Sequence, residues 1–223
     1  MIPLLVFLYV RRYIRKHPEL VKNLVSGSKI ILLLLLMIFI TRASLAQNRV
    51  LIYEVLRNGK PAGMLQVQCS SFNENQLYKL ESKVKVKMLM TFTAESFEEI
   101  KYENGVLVYS SLFRKLNGSE KNNKRMFITT AGYEVQTGDK RQSLSLNRIH
   151  ESTLTLYHKE PVGLQRIYSD NFQQYLELKK ITDHRYHLIF PDGSWSEYSY
   201  SNGVCTAVYV NNPLFTLVMQ LKQ

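Results

Sequence analysis

Sustained helical periodicity and the motifs of common enzyme chemistry are missing after residue 46, no apolar run is long enough to span a bilayer, and cysteine is nearly absent. Cys69 and Cys205 are the only two cysteines in 223 residues, which leaves room for one disulfide at most. In an oxidising compartment the two can pair across a long loop, provided their Cα atoms approach within roughly 7 Å. Each also sits in an apolar strand pattern, where a buried free thiol is common, so both readings stand. No Gly-x-Ser-x-Gly elbow follows residue 46, and neither cysteine carries a local catalytic signature. No glycine-rich phosphate loop leads into a helix, which removes nucleotide chemistry and any nucleotide cofactor.

Metal and acid–base candidates are thin. The best metal candidate is Asp183-His184-Arg185-Tyr186-His187, but in a strand residues 184 and 187 face opposite ways. We therefore expect no metal site. His158 and Glu160 suggest an acid–base pair, yet their place before Pro161 fits an exposed connection. Glu95, Glu98 and Glu99 lie close in sequence, which by itself supplies no pair of carboxylates across a cleft. The sequence thus predicts a protein that is not an enzyme and has no cofactor.

The longest uninterrupted apolar run, Ile30 to Ile40, is also too short to span a bilayer. As a helix it rises about 16 Å against roughly 30 Å of hydrocarbon. Lys22 and Lys29 precede it, and Ser44-Leu45-Ala46 supplies small side chains after it. That is the pattern of a secretory signal peptide cut between Ala46 and Gln47. The alternative is an uncleaved signal anchor. Residues 1–46 then form a leader, longer before Lys29 than such leaders require. The expected location is the periplasm or the extracellular space, with membrane contact through the leader alone.

The leader also accounts for much of the basic charge. The chain is formally +11, but residues 1–46 hold seven of its 29 Lys and Arg and one of its 18 Asp and Glu, leaving +5 for residues 47–223. That weak excess argues against a nucleic-acid partner. The remaining 177 residues suit a single domain with a sizeable core.

Turns and alternation are what the sequence has in abundance. Asn58-Gly59, Asn104-Gly105, Asn117-Gly118, Asp192-Gly193 and Asn202-Gly203 each separate runs rich in β-branched and aromatic residues. Such pairs favour the tight hairpin turns that need positive φ at both central residues. In LYKLESKVKVKMLM the apolar set Tyr78, Leu80, Val84, Val86, Met88 and Met90 alternates with Lys79, Glu81, Lys83, Lys85 and Lys87. One face of that strand is dry and the other wet. Thirteen strands are expected between Arg49 and Leu221, with His150 to Asn171 left as a helical turn and a crossing connection. The predicted fold class is all-β: an antiparallel meander forming a curved sheet, barrel or half-barrel. An outer-membrane barrel needs a nearly continuous apolar outer stripe with aromatic girdles, and the chain ends Val218-Met219-Gln220-Leu221-Lys222-Gln223 without an aromatic.

The layout resembles a family of exported bacterial proteins, common in Bacteroidetes-type bacteria, grouped under a domain-of-unknown-function label. The similarity runs through VLIYEVLRNGKPAG, KVKVKMLMTFTAESFEEIKYENGVLV and FPDGSWSEYSYSNGVCTAVYV. It implies an envelope location and a curved antiparallel sheet, and no activity.

The functional expectation is an exported, non-catalytic envelope protein that binds a lipid or other apolar ligand, or an envelope protein. Met64, Val84, Val86, Met88, Met90 and Phe92 are the candidate lining of a concave wall, with an ordinary packed core as the plainer account. A hydrolase acting on envelope glycan or lipid, and a purely structural interaction module, are the alternatives. In SWSEYSYSNGV, Tyr198 and Tyr200 share one face and Trp195 takes the other, so the aromatics either stack on a sugar or stabilise the sheet.

Overall fold

The computed structural model describes residues 12–13, 47–87, 91–213 and 215–222. The predicted signal core at 30–40 and Ala46 lie outside that range, as do Met88 and Met90; Gln47 opens the first strand. The unit formed by Ala46–Gln223 is built on fourteen strands.

Those strands are β1 (Gln47–Arg57), β2 (Lys60–Phe72), β3 (Asn75–Lys87), β4 (Thr91–Glu103), β5 (Val106–Leu116), β6 (Ser119–Thr129), β7 (Gly132–Thr137), β8 (Lys140–Leu144), β9 (Arg166–Ser169), β10 (Gln174–Thr182), β11 (Arg185–Ile189), β12 (Trp195–Ser201), β13 (Val204–Asn212) and β14 (Phe215–Leu221). They form one antiparallel curved sheet in the order β8-β7-β6-β5-β4-β3-β2-β1-β14-β13-β12-β11-β10-β9. The chain therefore enters mid-sheet and winds outward through eight strands. It then crosses to the far edge and winds back until β14 pairs with β1 at Tyr53↔Leu221 through Leu56↔Val218.

The hairpins follow from local backbone preference. At Asn58-Gly59, Asn104-Gly105, Asn117-Gly118 and Asn202-Gly203 both residues have positive φ, as a two-residue type I′ turn requires. Asp192-Gly193 differs: Gly193 alone is left-handed, and a wider loop closes through Gly193 N–H to Phe190 O and Phe190 N–H to Ser194 O. Gly63 answers a different need. A Cβ there would sit 2.1 Å from the Lys83 carbonyl oxygen, beside the irregularity between Val55 and Leu56, so the close approach of β2 to β3 demands glycine.

Alternation sorts the side chains as expected. Leu51, Tyr53 and Val55 of β1, Leu65 and Val67 of β2, Tyr78 and Leu80 of β3, and Ile100 and Tyr102 of β4 are all buried. The opposite face carries ion pairs between neighbouring strands, including Lys79–Glu99 at 3.1 Å and Lys83–Glu95 at 2.7 Å. Trp195 lies on that outer face, stacked between His187 and Tyr209 with ring centroids 4.8 and 5.3 Å apart. The ring faces cover one another across three strands, which stabilises the sheet; Tyr198 and Tyr200 are buried inside.

The middle of the segment joining β8 to β9, residues 145–165, packs into the concave interior. Ile149, Ser152, Leu154, Leu156 and Tyr157 are buried in it, with one 3-10 turn at Thr155–Tyr157. Irregular backbone in a core must have its polar groups satisfied, and tyrosines from the sheet supply much of this. Tyr133 Oη accepts from Ile149 N at 2.9 Å and donates to Leu107 O at 3.1 Å. Tyr200 Oη donates to Leu156 O at 2.9 Å, and Tyr186 Oη to the Glu160 carboxylate at 2.9 Å. The segment also covers the edge of β9, where Thr153 N–H donates to Tyr168 O and Tyr168 N–H to Glu151 O.

One expectation is corrected here and one open alternative is decided. His158 and Glu160 do not lie in an exposed connection: both His158 ring nitrogens are sealed from solvent, against Tyr78, and the Glu160 side chain is only 10% exposed. Cys69 and Cys205 are free thiols. β2 and β13 are separated by β1 and β14, three strand spacings or roughly 14 Å along the sheet, well beyond the reach of a disulfide. Cys205 is fully buried and donates to Ala207 O at 3.4 Å; burial pushes its thiol up to about 12.

Candidate functional site

The inner wall is not uniformly apolar. Along β4, Glu98 shares its face with Ile100 and Tyr102, and register sets it beside Leu80 on β3 and Leu112 on β5. Arg114 of β5 is opposite Ser96 on the same inner face. Two charged side chains on a concave face need each other, and they meet: Arg114 Nη2 is 2.8 Å from Glu98 Oε1. Arg114 Nε also donates to Ser96 Oγ at 3.3 Å, and Nη1 to Asn171 Oδ1 at 3.1 Å. Ser96 Oγ donates to Glu98 Oε1 at 3.2 Å. The guanidinium is thus fixed in a planar network that joins β4 and β5 to the turn between β9 and β10.

This network borders a cavity of about 310 Å³ between the two halves of the sheet. Leu80, Glu98 and Arg114 come from one half and Ser196, Tyr198, Val208, Val210 and Met219 from the other, with Leu154 and Tyr157 of the crossing segment also lining it. The mouth is framed by two loops. Ser169, Asn171 and Phe172 belong to the β9–β10 end, Phe190, Asp192 and Ser194 to the β11–β12 loop, and Phe172 stacks on Phe190 with centroids 5.6 Å apart. Asp192 Oδ1 accepts from the hydroxyl and the backbone N–H of Ser194, which hold its carboxyl below the usual carboxylate range. The cavity is therefore amphipathic, with an aliphatic floor and polar groups fixed by one another. Its size falls at the lower end of small-molecule sites.

The sequence-selected lining lies elsewhere. Met64 is 49% exposed on the outer face, because it alternates with Leu65 and pairs with Lys83. Val84 and Val86 do face inward, partly buried against the core, and Phe92 is opposite Val86. All three lie beyond the cavity's lining. Sequence reasoning misses Glu98 and Arg114 as cavity residues, although each interrupts the apolar parity of its own strand.

The histidines do not converge. His184 sits in the β10–β11 turn with Nδ1 3.0 Å from Glu160 Oε2, while His187 stacks on Trp195. His150 Nδ1–H donates to Gly105 O at 2.8 Å. Among the described residues no three His, Cys, Asp or Glu side chains cluster as metal ligands.

Residues 53–222 match the family described as "Domain of unknown function (DUF6134)". The chain belongs to DUF6134. None of the curated proteins matches it. Among solved structures it is similar to the β-barrel-like protein of domain of unknown function DUF1849 from Brucella abortus, at 10% identity and a TM-score of 0.57, covering 80% of this chain and 97% of that one. At that identity the likeness is one of fold: the DUF6134 sheet has a β-barrel-like counterpart of nearly the same extent.

Proposed function

We propose that this DUF6134 protein is an exported, non-catalytic binding protein that holds one small amphipathic ligand, its aliphatic part against Val208, Val210 and Met219 and its polar part at the Glu98–Arg114 network. The observation that carries the reading is the cavity. The crossing segment fills the rest of the interior with the protein's own chain and leaves about 310 Å³ between the two halves of the sheet. Small barrels ordinarily fill their interiors with side chains, so a space of this size with prearranged polar groups is a feature of a binding site.

The leader pattern at Ile30–Ile40 and Ala46 supports export, and the ion-paired outer face supports exposure to water rather than lipid. Binding here needs no reacting group: the Glu98 and Arg114 charges neutralise each other and orient a ligand's hydrogen-bonding end.

Native mass spectrometry of protein purified without detergent tests the reading. The expected result is a bound small molecule at one per chain, absent from the Val210→Trp variant, in which the indole fills the cavity. Repeated recovery of the bare mass from the wild type, with no thermal shift on adding fatty acids, phospholipids or glycolipids, contradicts it.

A further inference from the structure

Among the described residues, Asp170 is a buried carboxyl with an unpartnered oxygen. It begins the four-residue turn Asp170–Gln173, between β9 and β10, and only 9% of it is exposed. Its Oδ2 is buried without any hydrogen-bond partner. An ionised carboxylate in that position is costly, because the Ser110 hydroxyl and the residue's own backbone N–H offset only part of the water it has lost. The adjoining space, about 10 Å³ bordered by Ser110, Lys124 and Gln173, has room for about one water at most.

The groups around the carboxyl do not neutralise it. From β4 come Glu98, whose charge repels it, and the Tyr102 phenol; from β5 the Ser110 hydroxyl hydrogen-bonds the carboxyl and favours its ionised form, and Arg114 reaches the adjoining Asn171. Arg114 is ion-paired with Glu98. From β6, Lys124 donates to the Asn171 carbonyl at 3.3 Å and Arg125 borders the same small space. The Tyr168 phenol faces it from β9, donating to Met126 Sδ at 3.2 Å, with Tyr133 of β7 beyond. Burial, more than any neighbour, pushes the Asp170 carboxyl up to about 7.

The turn is also a structural bridge. β8 and β9 are the two ends of the sheet, and the turn reaches across the concave side from β9–β10 to β5 and β6. It is held there by Arg114 to Asn171 Oδ1 at 3.1 Å and by Lys124 to Asn171 O. Ser169, Asn171 and Phe172 line the cavity.

We propose that the Asp170–Gln173 turn is a proton-dependent latch on the cavity: seated while the Asp170 carboxyl holds its proton, released when it ionises. Ionisation puts a full charge on a buried carboxyl whose Oδ2 has no partner, with the Glu98 charge opposing it. The cheapest relief is to carry the turn outward into water, which breaks the two anchors on Asn171 and widens the mouth. Ligand held at low pH is then released as pH rises through neutrality. The latch rests on the binding reading for what it gates, but its own movement needs no ligand.

Hydrogen exchange of the Gln173 and Gln174 amides on the ligand-free wild type, corrected for intrinsic rates, tests it. In the seated turn Gln173 N–H donates to Ser169 O at 2.7 Å. With the released carboxyl at an ordinary value, the opening constant rises on the order of a hundredfold between about pH 5 and about pH 8. Asp170→Asn, which cannot ionise, is expected to keep the turn protected across that range, and Asn171→Ala to leave it unprotected throughout. Equal pH dependence in wild type and Asp170→Asn overturns the latch, as does constant protection in the wild type because Lys124 swings onto Oδ2 instead. Where Asp170→Asn does not fold, the carbon-13 shift of the Asp170 carboxyl in the wild type decides: titration near neutrality together with loss of protection supports it, titration in the ordinary carboxylate range overturns it. A failed latch leaves the Val210→Trp result standing, and an empty cavity leaves the exchange result readable.

Discussion

His158 and Asp170 show how burial in this interior sets charge. Both His158 ring nitrogens are sealed from solvent, and burial, with the Arg49 charge behind it, outweighs the Val67 backbone and pulls the ring down from 6.5 to about 4. Between those values the unfolded chain holds a proton that the folded protein does not. Stability that depends on a neutral ring is therefore whole above about 6.5 and is lost as pH falls toward about 4. Asp170 slopes the other way, since its folded form keeps a proton from 3.8 up to about 7 while the unfolded form has lost it. In an Asp170→Asn background the denaturant midpoint is predicted to fall steadily from about pH 7 to about pH 4, and His158→Phe to flatten that slope. An unchanged slope in the double variant would show that His158 titrates normally. Neither environment was legible in the sequence, where His158 reads as part of an exposed connection and Asp170 as unremarkable; their surroundings come from strands distant in the chain. Met64 is different. Gln66 and Gln68 share its parity, and that alternation already places it outside.

Among the elements, the strands were legible and the segment between β8 and β9 only partly so. Asn-Gly pairs and period-two patterning act within a few residues, so local preference places β1 to β8 and β10 to β14, although β6, expected from Lys124, begins at Ser119. β9 was missed because Arg166–Ser169 is four residues long and is fixed by pairing with β10 and by the backbone of residues 151–153. The crossing segment was anticipated as a turn and a connection, but its course through the core depends on tyrosines that the sequence presents merely as strand residues. Tyr133 tests this dependence. Tyr133→Phe leaves the Ile149 N–H and the Leu107 carbonyl without their shared partner, and should cost about 1–3 kcal/mol. Urea unfolding is the measurement: a lower midpoint at constant slope is expected, and an unchanged midpoint would mean that water replaces the phenol.

The unit formed by Ala46–Gln223 is a sheet wound around its own chain. Because β1 starts mid-sheet and β14 returns to it, the two halves close on each other and meet across the crossing segment, which leaves one end of the interior open at the Glu98–Arg114 network. That arrangement, rather than any apolar stripe along β3 and β4, creates the space we assign to a ligand. Fluorescence titration with an environment-sensitive apolar dye tests it most directly. Saturable binding at one dye per chain is predicted, displaced by amphiphiles and lost in Val210→Trp while that variant keeps its melting temperature. Binding that never saturates, or that persists undiminished in Val210→Trp, would contradict it.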